Sequence, residues 1–164
     1  MIDDLNLKRI QLLHPKLVSE VINILQEVDI ALTGTAKVRV TQTLRTFEEQ
    51  DDLYAQGRTK KGNIVTNSKS GQSYHNFGLA LDYCLIINNK EVSWNTVKDY
   101  DGDSISDWIE VAKIFKSHGW IWGGNFKSII DMPHVEKTFG YNWRDLLKKY
   151  QNKDFIEDTK YLNL

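Results

Sequence analysis

The stretch SYHNFGLALDYCLII, residues 73–87, decides how the rest of the sequence is interpreted. Its second part, GLALDYCLII at 78–87, is an apolar run with the length of a buried strand. Asp82 is the only charged side chain in that run, and it shares a strand face with the small side chains of Ala80 and Cys84. The pattern therefore predicts a buried strand that carries one carboxylate beside open space.

His75 lies seven residues before Asp82, and Gly78 lies between them. In a fully extended chain the two side chains would be roughly 23 Å apart, so they can meet only if the chain bends. Glycine permits the positive φ that such a bend requires. From the spacing alone two interpretations stand. The pair is either part of a metal site, or an acid that caps a turn beside an ordinary loop histidine.

The segments before and after residues 73–87 have the patterns of helices and short strands. After Pro15, apolar residues recur at helical spacing until about Gly34, and KVRVTQTLR at 37–45 alternates as a half-buried strand that ends at Arg45. The remaining features are a capping box at Thr46/Glu49, a polar loop at 58–74, a helix with an Asp107/Glu110 capping pair and a shorter helix after Asn142.

The length and the order of these elements indicate the fold class. A chain of 164 residues is enough for one core. Helices and short strands follow each other without regular βαβ alternation, which favours the α+β class. We therefore predict a single domain over residues 1–164, with a small, mainly antiparallel sheet flanked by helices.

Composition and charge exclude several classes of protein. Lys and Arg number 21 and Asp and Glu 22, so the formal charge of −1 does not attract nucleic acid or an anionic membrane. The single cysteine, Cys84, excludes an internal disulfide. No stretch approaches 18 apolar residues. We expect a monomer without nucleic-acid or membrane partners.

The string SYHNFGLALD at 73–82 resembles the S-x-H-x-x-G-x-A-x-D signature of the zinc peptidases that include D-alanyl-D-alanine carboxypeptidases and L-alanyl-D-glutamate endopeptidases. DMPH at 131–134 resembles the later motif of this family, a carboxylate three residues before a histidine. The similarity to phage and bacterial L-alanyl-D-glutamate endopeptidases extends over about residues 10–150. The resemblance implies one catalytic zinc ion at the edge of the sheet, held by His75, Asp82 and His134.

The resemblance also implies the roles of other side chains. Asp131 would act as general base, and Arg45 would stabilise the oxyanion of the tetrahedral intermediate. Glu136 stays open as an alternative base, because alternation along the HVE segment places it on the same strand face as His134. Two further positions match residues that bind substrate or support the ligands, namely Gln50 and Ser73.

The function implied is hydrolysis of the L-alanyl-D-glutamate bond in peptidoglycan stem peptides by a phage endolysin during host lysis. One alternative is a D,D-carboxypeptidase or dipeptidase of wall metabolism, against which the long loop at 58–74 argues. The other is a zinc-stabilised binding module without catalysis, against which the presence of Asp131 and Arg45 argues.

The first residues, MIDDLNLKRIQLLHPKL, do not have the basic start and the apolar run of a signal peptide. We therefore expect synthesis in the host cytoplasm, and action on the cell wall or periplasm after release through a membrane pore. We also expect no separate cell-wall-binding domain.

The segment DYDGDSISDWIE, residues 99–110, has the spacing of a calcium-binding EF-hand loop. It departs from the motif at position 6, where Ser104 replaces the glycine of the sharp turn. The alternative is that the acids only cap the following helix and favour its positive end. The calcium interpretation predicts a regulatory Ca²⁺ bound by the acids at positions 1, 3, 5, 9 and 12, which are Asp99, Asp101, Asp103, Asp107 and Glu110.

Overall fold

A central antiparallel sheet organises the computed structural model, which describes residues 2–164. The strands run in the order β1-β2-β5-β4, and β3 pairs with the far end of β2. Their bounds are β1 Ala36–Gln42, β2 Ala80–Ile87, β3 Glu91–Ser93, β4 Ile121–Trp122 and β5 His134–Glu136. The predicted buried strand is therefore β2, which starts two residues later than expected and is the strand with most partners.

Five α-helices lie around this sheet, and they confirm the α+β class that the sequence predicted. The helix after Pro15 has proline in its first turn and buries Leu17, Val21 and Val28 on one face, as the periodicity indicated. The helices are α1 Asp4–Ile10, α2 Pro15–Ala31, α3 Phe47–Ala55, α4 Asp107–Ser117 and α5 Trp143–Gln151.

Apolar side chains of the sheet and of α2 and α4 form one continuous core. On β2, Leu81, Tyr83 and Leu85 are fully buried, and on α4 Trp108 and Phe115 are fully buried. A single core of this kind fixes the positions of the inner strands, because close packing leaves little room for a strand to shift.

One of the two predicted helix caps is present and the other is not. The Thr46/Glu49 capping box at α3 is present. At α4 the predicted Asp107/Glu110 capping pair is wrong: the N-cap is Ser106, which makes no side-chain cap bond. The Asp107 side chain instead accepts a hydrogen bond from the amide of Tyr100, in the loop before the helix.

The polar segment at 58–74 contains no helix or strand until the short 3₁₀ turn Tyr74–Phe77, as predicted. Arg58 stabilises it by donating hydrogen bonds to the Thr66 carbonyl and the Asn67 side chain. Within residues 2–164, no helix combines the length and the apolar character needed to cross a lipid bilayer.

Candidate metal centre

His75 lies on the 3₁₀ turn Tyr74–Phe77, directly before β2. The Ser73 hydroxyl accepts a hydrogen bond from the His75 amide and so starts the turn. Gly78 ends it with a φ of +67°, and a Cβ at this position would lie 2.8 Å from the backbone nitrogen of His14. The bend that the sequence assigned to Gly78 is therefore present, and a larger residue would be excluded there by both conformation and space.

Asp82 and His134 are direct partners across the β2–β5 pairing. Both strands are interior strands of the sheet, because β1 flanks β2 on one side and β4 flanks β5 on the other. The expectation of a site at the sheet edge is therefore wrong. The two candidate ligands lie on neighbouring inner strands, and the β2–β5 pairing fixes their separation.

Three side-chain atoms from these segments form a nearly equilateral triangle. The His75 Nε2–Asp82 Oδ1, His75 Nε2–His134 Nδ1 and His134 Nδ1–Asp82 Oδ1 distances are each 3.1 Å. Donor atoms around a tetrahedral zinc ion at about 2.0–2.2 Å lie roughly 3.3–3.6 Å apart. The sequence therefore identified three residues that the fold brings together into a group able to hold a metal ion.

The other nitrogen of each ring determines which atom faces the centre. His75 Nδ1 lies 2.7 Å from the Thr43 carbonyl oxygen, which can only accept a hydrogen bond, so this nitrogen carries the proton. His134 Nε2 lies 2.8 Å from the Glu136 carboxylate and donates to it in the same way. In the neutral rings, His75 Nε2 and His134 Nδ1 then point lone pairs at Asp82. Three acceptors facing each other in this manner fit a bound cation.

The electrostatics of the site agree with this interpretation. Burial disfavours a charged Asp82, but the adjacent His75 and His134 outweigh it and hold the pKa of that carboxyl far below its usual range. Burial also acts against a charged His134, yet Asp82 and Glu136 raise its pKa to about 9. His134 therefore binds a proton more readily than a free imidazole does, and a metal ion would compete with that proton.

A cleft of about 500 Å³ opens over the three ligands. Asp131, Glu136 and Arg45 all line it, together with Ser73 and Phe126. The five candidate calcium ligands lie outside this cleft, in the loop before α4 and in its first turn. A cleft of this size accommodates several residues of an extended peptide.

Asp131 and Glu136, the two candidate bases, differ in their hydrogen bonds. Glu136 is buried and bound to His134. For Asp131, no residue in 2–164 donates a hydrogen bond to the carboxylate. Burial and the nearby Asp82 raise the pKa of Asp131, although His134, His75 and Arg45 act against this rise. Asp131 is thus the carboxylate available to accept a proton in the cleft.

Arg45 follows β1 and extends its guanidinium towards the ligands. One nitrogen, Nη2, lies 3.6 Å from Asp82 Oδ2, and Nη1 donates to Gln50 Oε1 at 2.9 Å. Burial lowers the pKa of Arg45 while Asp82 and Asp131 raise it, and a guanidinium remains charged in proteins. Arg45 therefore supplies a fixed positive charge beside the metal centre.

Gln50 is fully buried, and both ends of its amide are used inside the protein. Its carbonyl holds Arg45, and its NH₂ group donates to the Ser68 carbonyl in the 58–74 loop. Ser73, at the wall of the cleft, holds the His75 amide. These placements favour the supporting role for both residues over direct contact with substrate.

The sequence did not reveal the supporting roles of Thr43 and Glu136. Thr43 acts through its carbonyl, and its hydroxyl donates to the Arg9 carbonyl on α1, which ties that helix to the centre. Nothing in its residue type indicates this. Glu136 was visible as a carboxylate two residues after His134, but its hydrogen bond to the outer ring nitrogen depends on side-chain rotamers.

Comparisons with known proteins match the segment of the chain that contains this group. Residues 66–137, which contain all three ligands and Asp131, match a peptidase family model described as D-alanyl-D-alanine carboxypeptidase. The chain is 48% identical over 99 residues to the peptidoglycan L-alanyl-D-glutamate endopeptidase CwlK of Bacillus subtilis (strain 168), which covers 60% of this chain and 59% of that protein. These matches confirm the resemblance that the motif indicated.

Two further relatives extend the comparison. The L-alanyl-D-glutamate peptidase of Listeria phage A118 is 31% identical over 106 residues, or 64% of this chain and 32% of that protein. The chain thus matches less than two thirds of the length of either curated relative. The crystal structure of the Serratia marcescens L-Ala D-Glu endopeptidase ChiX aligns with a TM-score of 0.56 and 22% identity, over 89% of this chain and 92% of that chain. This likeness shows a shared fold.

Proposed function

We propose that this protein is a zinc-dependent peptidase that hydrolyses the L-alanyl-D-glutamate bond of bacterial peptidoglycan stem peptides. The observation that carries the proposal is the triangle of His75, Asp82 and His134, with sides of 3.1 Å, at a cleft that also holds Asp131 and Arg45. Two imidazoles and one carboxylate are a donor set typical of catalytic zinc. The names of the two curated relatives support the choice of bond.

In the proposed reaction, Asp131 transfers the proton and the metal site activates water and the peptide carbonyl. Zinc at this site would supply Lewis acidity, which lowers the pKa of water and polarises a carbonyl oxygen. Asp131 accepts the proton of the water whose oxygen attacks the carbonyl carbon. When the C–N bond breaks, Asp131 returns that proton to the amine nitrogen that leaves. The other residues orient these groups.

Arg45 acts on the charge that develops during the attack. Its guanidinium is held by Gln50 and by its proximity to Asp82, so it needs little reorganisation to donate to an oxyanion. Glu136 keeps His134 in the tautomer whose Nδ1 faces the centre. These roles distinguish the protein from a zinc-stabilised binding module, which would need neither Asp131 nor Arg45.

Digestion of purified peptidoglycan with the zinc-loaded protein tests the proposal. Mass spectrometry should reveal new N-terminal D-glutamate, with the Asp131→Ala protein as control. A D,D-carboxypeptidase is the second candidate, favoured by the description of the matching family model, and it would release D-alanine instead. Binding to peptidoglycan without any new terminus would contradict both enzymatic proposals.

The identity of the metal requires its own measurement. The protein purified without chelator should contain one zinc per chain by elemental analysis. Removal of the metal should abolish activity, and zinc should restore it at a stoichiometric amount. Activity that survives removal of the metal would contradict the role assigned to His75, Asp82 and His134.

We further propose that the protein acts as a monomeric phage endolysin, made in the host cytoplasm and released to the wall through a membrane pore. The relative from Listeria phage A118 supports this role. Bacteria that produce the protein should lyse only when a pore-forming protein is co-expressed, and the Asp131→Ala protein should not lyse them. Lysis without a pore would contradict the route, and light scattering far above the 19.0 kDa of one chain would contradict the monomer.

A further inference from the structure

The loop at 99–106 and the first turn of α4 bring five carboxylates close together, away from the cleft. Carboxylate oxygens of Asp99, Asp101 and Asp107 lie within 4.8 Å of one another, and so do those of Asp101, Asp103 and Glu110. Within residues 2–164, none of the five forms an ion pair with Lys, Arg or His. No cation in the described part of the chain therefore forms an ion pair that balances the cluster.

Two oxygen atoms in this cluster have no hydrogen-bond partner among residues 2–164. They are Asp107 Oδ2 and Glu110 Oε2, and both atoms are buried. The Asp107 residue is 0% exposed. A buried carboxylate oxygen without a donor is costly, and it is more costly still among other acids. Such atoms are what a bound cation would satisfy.

At position 6 the backbone of the loop has the conformation that the EF-hand motif requires. Ser104, which replaces the glycine at position 6, has a φ of +74° and so takes the left-handed conformation of that glycine. Its amide donates to Asp99 Oδ2 at 2.8 Å, across the loop. The departure of the sequence from the motif at this position is therefore no obstacle to its geometry.

We propose that residues 99–110 bind one calcium ion through carboxylates of Asp99, Asp101, Asp103, Asp107 and Glu110. Calcium takes six to eight oxygen ligands in flexible geometry, whereas magnesium demands a strict octahedron and retains its water. A set rich in carboxylates on a curved loop suits the larger ion. The site is independent of the peptidase proposal, because it shares no residue with the cleft.

Repulsion from the neighbouring acids contributes to a raised pKa of Glu110. Burial raises the pKa of Glu110 to about 7, with further contributions from Asp103, Asp101, Asp107 and Asp99. A divalent ion would remove this repulsion.

The site is also connected to the metal centre through α4. Asp101 accepts hydrogen bonds from the amide and hydroxyl of Thr33, so the loop is docked on the turn after α2. Trp108, next to Asp107, is fully buried and donates from Nε1 to the Met132 carbonyl at 3.1 Å. Met132 lies two residues before His134. Calcium would thus order the start of α4 and, through Trp108, the turn that presents Asp131 and His134.

Calorimetric titration of the zinc-loaded protein with calcium chloride tests the site, because zinc blocks the other centre. The wild type should show saturable heat with one ion per chain. At calcium 100-fold above the dissociation constant, the unfolding midpoint should rise by roughly 5–10 °C. Magnesium chloride should produce a clearly smaller rise.

The double variant Asp103→Asn/Glu110→Gln should lose the calcium response. Without calcium it should unfold at the same temperature as wild type or higher, since two repelling charges are gone. The matched control is Glu157→Gln/Asp158→Asn, which removes two charges at exposed residues outside the loop and should respond to calcium like the wild type.

Two results would overturn the proposal. One is the absence of saturable heat in the wild type at millimolar calcium. The other is a loop variant that is less stable than wild type both with and without calcium, while wild type ignores the ion, because then the acids serve only the helix terminus. If the double variant does not fold, the single variant Asp103→Asn at an exposed position gives the same comparison.

Discussion

The metal centre and the acidic loop are both clusters of metal-ligating side chains, but the fold builds them in opposite ways. The centre gathers His75, Asp82 and His134 from segments up to 59 residues apart, and hydrogen bonds from outside fix each imidazole. The loop takes all its acids from 12 consecutive residues, and two of their oxygen atoms have no donor. The first is ordered by the protein before an ion binds, whereas the second needs an ion to complete it.

This difference predicts what each region tolerates. A preorganised centre depends on every residue that orients a ligand, so supporting substitutions change metal affinity and turnover. Calcium binding by the acidic loop depends on how many carboxylates it carries. Substitutions there should therefore change mainly the stability of the protein. The four predictions that follow test this division, from the largest expected effect to the smallest.

The largest effect is expected from loss of a ligand. Replacing His75, Asp82 or His134 with alanine should remove bound zinc and lower activity by roughly 10³-fold or more, because an open site with three protein ligands cannot lose one. Elemental analysis and peptidoglycan digestion measure the two effects. The matched control is His118→Ala, a histidine that pairs with Glu27 outside the cleft. Stoichiometric zinc in any ligand variant would refute that assignment.

Asp131→Ala should lower turnover by about 10²–10⁴-fold while zinc content stays at one per chain, as expected for loss of a general base. The assay compares the rate of stem-peptide hydrolysis with the metal content of the same sample. Glu136→Gln is the matched comparison, because Glu136 is the alternative candidate for the general base. If it shows this loss with full zinc while Asp131→Ala does not, Glu136 is the base and Asp131 is not.

Arg45→Lys should lower kcat by about 10²-fold, with intact zinc and an unchanged unfolding midpoint. Lysine retains the charge but loses the planar fork that Gln50 holds beside Asp82. Steady-state kinetics on a soluble stem peptide would separate kcat from KM. Kinetics equal to wild type would make Arg45 a surface charge without a role in the cleft.

The smallest effect separates the two regions most sharply. Glu136→Gln should weaken zinc binding by roughly 10-fold, because a neutral amide holds His134 less firmly than the carboxylate does. Glu110→Gln, the same change in the acidic loop, should leave zinc affinity unchanged when both proteins are measured without calcium. Competition with a chromogenic chelator measures both. Equal losses in the two variants would show that the regions are not independent in their metal binding.

The sequence alone indicated those parts of the candidate site whose structure depends on residues close together in the chain. His75, Gly78 and Asp82 belong to one short string, and the positive φ of Gly78 follows from a bend that only glycine makes easily. Asp131 and His134 were placed by their resemblance to a family motif. The α+β class followed from the order of the elements. The exact ends of β2 did not, because pairing with neighbouring strands determines where a strand starts.

The remaining features depend on contacts that residue type does not encode. His75 Nδ1 donates to the backbone carbonyl of Thr43. Every residue type has such a carbonyl, so the sequence could not indicate this hydrogen bond. The short helix α1 lacks a long apolar period, and it is stabilised instead by packing and by Asn6, whose side chain bonds to the backbone of β1 at Val38 and Val40. Asp107 looked like a helix cap, but it turns back to the Tyr100 amide because the loop before α4 curls over the helix start.

The pairing of Asp82 with His134 has a consequence for how the protein is made. His134 lies 52 residues after Asp82, so the third candidate ligand is synthesised well after the first two. If the proposed metal binds there, a nascent chain that exposes only His75 and Asp82 would hold it weakly, because the third candidate ligand is missing. Long-range strand pairing of this kind is slow compared with local helix formation. On the proposed function, metal would therefore bind only after β5 has paired with β2 and closed this part of the sheet.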